Sequence, residues 1–483
     1  MALQQDQVQS ITAQETVVAR VLNSTLTSAE RQAVFDALAA GELEFVFLAP
    51  EQLSRDDTIA ALQRAQPSLF VVDEAHCISQ WGHDFRTDYL HLEREIAALN
   101  HPTVLALTAT ASPPVRQEMI QQLCLHDPVQ VVQGFDRPNL DLSVMRFYDD
   151  DAKLPALLAA VAQADLPGIV YAATRQTTGD IAQQLQDAGV RAAAYHAGLS
   201  TAERDQMQTQ FMGDDLDVVV ATTAFGMGID KSNVRFVFHY DIPGSIDAYY
   251  QEIGRAGRDG KPSSVKLFYH PDHLKLQRFL GSSGTIDRET LSQLAQQLQS
   301  QCEPVAMDAI EAHTPLSTRK LSTALLCLEA AALVKRLANG RVVAQPVDDL
   351  PKQLDQAETA QQRRHAAEQS CLHMMQDYAE SSVCRREALL SYFGGPFQGP
   401  CDSCDTCRQH GADLASSGDA PSRSESVDEP GPLPLGSTII HTQFARGQVI
   451  RYEDDKVVIL FETVGYKTFV TALIADSVRC LAH

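Results

Sequence analysis

The stretch Phe70-Val71-Val72-Asp73-Glu74-Ala75-His76-Cys77-Ile78-Ser79-Gln80-Trp81-Gly82-His83-Asp84-Phe85-Arg86 decides how the rest of the chain is read. Leu69 to Val72 is an unbroken apolar run that ends abruptly in two acids. A strand buried on both faces of a parallel sheet has this pattern when its carboxyl end opens onto a site. Paired carboxylates there suit nucleotide hydrolysis: one can hold Mg2+ through water, and the other can orient or deprotonate the attacking water. For the tetrapeptide alone, a solvated loop with two acids is the bland alternative. The following residues weigh against it, because Cys77 to Arg86 carries the single Trp of the chain beside His83 and Phe85, in a segment too polar for a core. Aromatic side chains in such a loop can stack on bases and report their presence to the acids.

At 483 residues the chain exceeds what one core can organise, and length predicts about three to five domains. No run of about 18 apolar residues occurs, so no membrane-spanning segment is predicted. The opening M-A-L-Q-Q-D-Q has neither the basic start nor the apolar stretch of a secretory signal. Three of the ten Cys crowd into Cys401 to Cys407, which predicts a metal in a reducing, cytoplasmic compartment rather than a disulfide framework. The net charge of −23 argues against indiscriminate nucleic-acid binding and leaves room for a local basic groove.

Strand and helix signals alternate around the opening stretch. A helix is predicted over Ser28–Leu43, a strand over Phe45–Leu48, and a strand over Val104–Leu107 leading into Thr108-Ala109-Thr110. Thr110 or Ser112 can also cap a helix opening at Pro113-Pro114. A second lobe begins near Met145, with strands at Gly168–Tyr171, before Thr174 and Arg175, and at Asp217–Ala221, before Thr222 and Thr223. Between them lie Ala193–Leu199, with His196 and Gly198, and a helix from Ala202 to Phe211. Ala224-Phe225-Gly226-Met227-Gly228-Ile229-Asp230 then permits close backbone approach at its glycines. In Gln251-Glu252-Ile253-Gly254-Arg255-Ala256-Gly257-Arg258 the two Arg, three apart, share one helical face and can neutralise a transferring phosphoryl group; a surface Arg pair is the alternative. The alternation predicts α/β lobes with doubly wound parallel sheets.

D-E-A-H followed by C-I-S-Q-W-G-H-D-F-R resembles motif II and the aromatic-rich loop of the RecQ family of DNA helicases. Asp6-Gln7-Val8 resembles the end of that family's motif Ia, and Ala224–Asp230 and Gln251–Arg258 resemble superfamily-2 motifs V and VI. The resemblance implies two RecA-like lobes (1–144 and 145–283) that hydrolyse ATP with Mg2+ to move 3′ to 5′ on single-stranded DNA. Branched or forked duplexes would be separated in this way during recombination and repair. It also implies roles: Asp73 on Mg2+, Glu74 on water, His76 and Gln251 linking the ATP site to the lobe interface. Arg255 and Arg258 would meet the γ-phosphate, with Asp230 beside the nucleotide. Trp81, Phe85 and Arg86 would sense DNA, and Thr174, Arg175, His196, Gly198, Thr222 and Thr223 would track its backbone. One departure is large. The family's adenine-binding motif and phosphate loop are missing, since no G-x-x-x-x-G-K-[ST] occurs in the 483 residues. The expectation is that the true start has been lost, so that the first lobe is incomplete, partly unfolded or aggregation-prone, and the chain inactive alone. The rival is a non-catalytic DNA- and protein-binding protein that has abandoned ATP.

Beyond the second lobe, Leu321, Ala324, Leu325 and Leu328 form a helical stripe after a Ser317 cap, and Val334–Leu337, Asn339-Gly340 and Arg341–Val343 read as a hairpin. The segment 284–348 thus resembles a winged helix whose Arg319, Lys320, Lys335, Arg336 and Arg341 can meet phosphates; a small helical packing domain is the alternative. In 349–409, a polar helix from Gln353 to Glu380 precedes Cys384-Arg385-Arg386, Tyr392-Phe393-Gly394 and Cys401-x-x-Cys404-x-x-Cys407. Four thiolates can close a tetrahedral site around Zn2+, and the pattern resembles the RecQ zinc module. Cys371 is the other candidate for the fourth ligand, and an iron–sulfur cluster the competing metal centre. Residues 410–436 read as a disordered acidic linker. Short alternating runs over 437–483, with turns at Asp454-Asp455 and Gly465, predict a small SH3- or Tudor-like barrel. Within it, H-x-x-F-x-x-G-x-V over His441–Val449 with the later Val464-Gly465-Tyr466-Lys467 resembles the C-terminal domain of UvrD-type helicases, which docks on a protein partner.

Overall fold

The computed structural model describes residues 18–23, 26–53, 55–79, 87–226, 229–282, 286–301, 303–337, 341–347, 349–395, 397, 399–410, 433–434, 437–453, 456–461, 465–474 and 477–480. The expected DNA contacts Trp81, Phe85 and Arg86 lie outside them, as do Asp6–Val8, Met227, Gly228, the Asn339-Gly340 turn, Asp454-Asp455 and most of the acidic linker. The chain forms two compact units. One holds the first lobe with the segment up to His365, and the other holds the second lobe with the residues from Ala366 onward.

In the first lobe, β1 (Ala19–Leu22), α1 (Ser28–Ala39), β2 (Phe45–Leu48), α2 (Asp56–Ala65), β3 (Leu69–Val72), α3 (Leu92–Ala98), β4 (Thr103–Ala106) and α4 (Pro113–Gln122) follow the expected alternation. Thr27 opens α1 with a capping box, its hydroxyl accepting the Glu30 N–H while the Glu30 carboxylate accepts the Thr27 N–H at 2.8 Å. That helix stops at Ala39, short of the expected Leu43, ahead of Gly41 in the left-handed region (φ +70°). The strands pair in parallel as two couples, β1 with β2 and β3 with β4. Their apolar residues are far from uniformly covered: Leu69 and Val71 of β3 are 46% and 47% exposed. Leu22, Val34, Phe35 and Ala61 make a small core under α1.

The second lobe is a six-stranded parallel sheet in the order β5-β10-β9-β6-β8-β7. Its elements are β5 (Leu140–Arg146), α5 (Asp150–Gln163), β6 (Gly168–Tyr171), α6 (Arg175–Asp187), β7 (Ala192–Tyr195), α7 (Thr201–Met212), β8 (Val218–Ala221), β9 (Phe236–His239), α8 (Ile246–Ile253), β10 (Ser263–Tyr269) and α9 (Leu274–Ser282). The sheet therefore starts before the 144/145 boundary drawn from sequence, because β5 pairs with β10 from Leu140 to Arg146. β5 is an edge strand whose L-D-L-S-V-M-R alternates apolar and polar residues, so it lacks the continuous apolar run of the central strands. Every residue of β6, β8 and β9 is buried.

Three helices, α10 (Arg288–Gln299), α11 (Met307–Ala312) and α12 (Thr318–Ala330), precede an antiparallel pair, β11 (Val334–Arg336) with β12 (Val342–Ala344). Ser317 caps α12, accepting the Lys320 N–H, and Leu321, Ala324, Leu325 and Leu328 are fully buried in one core, as the stripe predicts. Lys320, Lys335 and Arg341 are exposed, whereas Arg336 turns to Glu329. Next come α13 (Leu350–Glu380) and α14 (Arg385–Tyr392). The last segment is an antiparallel sheet of β13 (Thr438–His441), β14 (Ala445–Glu453), β15 (Lys456–Phe461), β16 (Gly465–Val470) and β17 (Val478–Cys480), ordered β16-β15-β14-β13-β17. Gly465 is the first residue of β16, opposite Phe461, rather than a turn residue. Among the described residues, no helix is long and apolar enough to cross a membrane.

Candidate active site and metal centre

β3 delivers Asp73 and Glu74 to its carboxyl end, as its apolar run requires. The chain turns there through Glu74 itself, which adopts a left-handed conformation (φ 48°) that costs a residue with a Cβ of order 1 kcal/mol or more. The Asp73 carboxylate accepts the Glu74 N–H at 2.9 Å, and the Ala75 N–H reaches Leu107 O at 2.9 Å, so β4 braces the turn. Asp73 is exposed and Glu74 half-buried. His76 is buried, with Nδ1 2.9 Å from Thr108 Oγ1 and 3.4 Å from Glu74 Oε2. One imidazole thus ties the acids to the Thr108-Ala109-Thr110 turn inside this lobe.

In the second lobe β6, β8 and β7 are neighbours in the sheet, so the loops at their carboxyl ends stand in a row. Thr174 and Arg175 follow β6, Thr222 and Thr223 follow β8, and His196 and Gly198 follow β7. Such a row is where ligands bind in open α/β sheets. Thr174 spends its hydroxyl on capping α6, accepting the Thr177 N–H at 3.0 Å. Arg175 is exposed and lies against Gly198, where an added Cβ would stand 2.8 Å from Nη1. His196 is half-buried, Thr223 is exposed, and Thr222 accepts the Ala224 N–H at 3.4 Å.

The two motif VI arginines correct one expectation. α8, capped by Ser245, ends at Ile253, and Arg255 and Arg258 lie in the turns that follow rather than on one helical face. Gly257 keeps the helix from resuming beyond these turns. Gly257 sits at φ +54°, where a Cβ would fall 2.4 Å from Asn139 Nδ2 and 2.7 Å from Lys261 O. Arg255 is buried, its Nε has no partner among the described residues, and its guanidinium packs where a Cβ on Gly226 would be, 2.9 Å from Nη2. Arg258 is exposed and pairs with Asp230 at 2.6 Å. Gln251 is half-buried near the end of α8. A buried polar atom aimed at no partner is the kind of group an oxyanion satisfies. Sequence reasoning passed over His239 and Glu252, buried and 2.8 Å apart beneath this turn. The signal was available: a His inside the apolar run F-V-F-H needs a partner. Tyr171, whose hydroxyl donates to Phe225 O at 2.8 Å, completes the support, and burial pushes its phenol up to about 12.

The Sγ atoms of Cys384, Cys401, Cys404 and Cys407 all lie within 4.8 Å of one another, with Cys401–Cys407 and Cys404–Cys384 at 3.8 Å. A tetrahedral Zn2+ with bonds of about 2.3 Å spaces its sulfurs by about 3.8 Å, so the group fits that ion. Cys371 lies buried inside α13, apart from this group, so Cys384 is the fourth thiol. Burial opposes ionisation of Cys404, but hydrogen bonds from Thr406 and from the Cys407 and Arg385 N–H groups bring it down to about 6. Burial pushes the Cys384 thiol up. Beside the thiols, Asp405 accepts the Val144 N–H at 2.9 Å and pairs with Arg385 at 3.0 Å, while Arg386 donates to Leu140 O at 3.0 Å. The cysteine loop is thereby stitched to β5.

The chain matches three protein families: DEAD/DEAH box helicase over residues 1–118, helicase conserved C-terminal domain over 152–260, and RecQ zinc-binding over 345–408, which encloses the four thiols. It is 34% identical over 408 residues to the ATP-dependent DNA helicase RecQ of Pasteurella multocida, covering 84% of this chain and 52% of that protein. The protein of the same name from Haemophilus influenzae gives 34% over 408 residues, 84% of this chain and 53% of the relative. The chain thus spans about half the length of these two. Against the probable ATP-dependent DNA helicase RecS of Bacillus subtilis it is 32% identical over 451 residues, covering 92% of this chain and 85% of the relative. With paired acids on β3, an arginine turn after α8 and a zinc-fitting thiol group in that order, the chain belongs to the RecQ family of helicases.

Proposed function

We propose that the chain is the motor of an ATP-dependent 3′–5′ DNA helicase of RecQ type, acting in the cytoplasm on single-stranded and branched or forked duplex DNA during recombination and repair. The observation that carries this reading is the row of loops after β6, β8 and β7, which brings Thr174, Arg175, His196, Gly198, Thr222 and Thr223 along one sheet edge, in the lobe that holds Arg255 and Arg258. Positive and hydroxyl groups in such a row suit successive phosphates of one strand. Asp73 would hold Mg2+ and Glu74 would act on water, with His76 relaying their state to Thr108. Arg255, with its open Nε, would meet a phosphate directly; Arg258 would first have to leave Asp230. ATP, once bound, would supply the phosphoryl group whose transfer drives strand separation. The 483 residues contain no G-x-x-x-x-G-K-[ST], so we read the chain as dependent on a phosphate cradle that it does not itself supply. The C-terminal sheet is read as a protein-docking domain.

The test is two measurements. Fluorescence anisotropy of a labelled DNA with a 3′ tail should report binding that Arg175→Ala with His196→Ala weakens at least about 10-fold; binding indifferent to both changes sinks the DNA assignment. DNA-stimulated ATP hydrolysis should be absent from the 483-residue chain. Hydrolysis by the 483-residue chain that Glu74→Gln abolishes would overturn the missing-cradle reading.

A further inference from the structure

Away from the motifs, three metal-ligating side chains of the second lobe converge. β10 ends at Tyr269, and His270-Pro271-Asp272-His273 then makes one tight turn, closed by a 3.0 Å bond from the His273 N–H to His270 O. Residues three apart eclipse in a turn of this kind. Both imidazoles therefore leave on the same side, their centroids 5.3 Å apart. Asp150, the first residue of α5, reaches the same place, its Oδ1 2.8 Å from His273 Nε2. One ligand atom from each of Asp150, His270 and His273 lies within 4.8 Å of the other two. The far nitrogen of His273 is already held: Nδ1 lies 2.8 Å from Asp241 Oδ1, and Asp241 Oδ2 accepts the Ala173 N–H at 2.8 Å. A buried carboxylate in that position fixes the ring and makes the opposite nitrogen a better donor, as it does behind metal-binding histidines. The fully buried Lys153, 2.8 Å from His273 Nδ1 and 3.6 Å from Asp241, offsets one carboxylate. Asp150 and Asp241 together still exceed it by one negative charge.

We propose that Asp150, His270 and His273 form a second metal site, separate from the four thiols, that takes one divalent transition cation of the zinc class. Two imidazoles with one carboxylate favour Zn2+, Co2+ or Ni2+ over Mg2+. The exposure of Asp150 leaves a fourth position to water. Binding replaces the Asp150–His273 contact with two metal bonds and releases any proton on the ligating nitrogens to solvent.

The experiment titrates the zinc-loaded full chain with Co2+, following visible absorption and metal content. One further equivalent should bind, with weak d–d bands and no thiolate charge-transfer band. Asp150→Asn and His270→Gln should each weaken it roughly 10-fold or more, while the thiol-bound zinc is retained. Asp150 is at the surface, so its variant keeps the test independent of folding. No stoichiometric Co2+, Co2+ that shows only the thiolate band, or binding that both variants leave unchanged would overturn the site.

Discussion

The two α/β lobes follow the same strand–helix alternation and differ in what covers their strands. In the second, β6, β8 and β9 are buried at every residue, and the zinc module lies along the edge strand β5. In the first, the strands stand as two couples, and Leu69, Val71, Leu105 and Leu107 are 43–47% exposed. A parallel strand is apolar because both of its faces are meant to be covered. Burying a Leu or Val fully stabilises by about 1.5–3 kcal/mol, so each half-exposed one forfeits a sizeable part of that. The strand pattern is thus equally clear in both lobes, while the stability it yields belongs to the neighbours.

The largest effect should come from removing the cover of β5. Chelating the zinc, or Cys404→Ser, withdraws binding energy on the order of 10 kcal/mol from the module. Amides of β5 should then exchange as freely as those of the first lobe while β8 and β9 stay protected; an unchanged β5 would show that the module is a passive neighbour. Next in size is the contrast itself. Native-state hydrogen exchange should place β6, β8 and β9 about 5 kcal/mol above β1 to β4 in opening free energy, with proteases cutting first before residue 145. Equal protection in both lobes would break the comparison outright. Single side chains should repeat it on a smaller scale: Phe238→Ala in β9 should cost roughly 3–5 kcal/mol by chemical denaturation, and Leu105→Ala under about 1 kcal/mol.

The smallest effect is electrostatic and confined to the first lobe. Burial acts against ionisation of Asp57, but hydrogen bonds from Arg55 and Arg31 win and hold its carboxyl at about 2. A carboxyl whose folded value is depressed stabilises above its unfolded value of about 3.9 and loses that contribution as pH falls through the folded one. First-lobe stability should therefore drop between about pH 4 and pH 2, and Asp57→Asn should abolish this part of the dependence. With the Asp57 side chain 46% exposed, screening limits the effect to about 1 kcal/mol or less. A first lobe whose acid sensitivity is the same in Asp57→Asn would remove the pair from the account.

By itself the sequence determined the local elements and the chemistry carried in short motifs. Apolar runs ending in D-E or T-T specify strands with a site at the carboxyl end, a Ser317 with its stripe specifies a capped helix, and C-x-x-C-x-x-C fixes three ligands because tetrahedral spacing is a local constraint. Tertiary structure decided whatever depends on residues far apart. Cys384 over Cys371 as fourth thiol, β5 as a sheet edge, and the His239–Glu252 pair all join positions separated in the chain, where no local period reports contact. Gly257 parted Arg255 from Arg258, burying one and leaving the other to Asp230, because a left-handed glycine among Asn139, Ser263 and Lys261 cannot continue a helix. Asp150, His270 and His273 come from opposite ends of the second lobe and meet only because β5 and β10 are adjacent. Exposure of the first lobe's strands could not be read from their apolar runs, which say only that a strand should be covered; it was expected from the missing phosphate loop, which leaves that lobe incomplete.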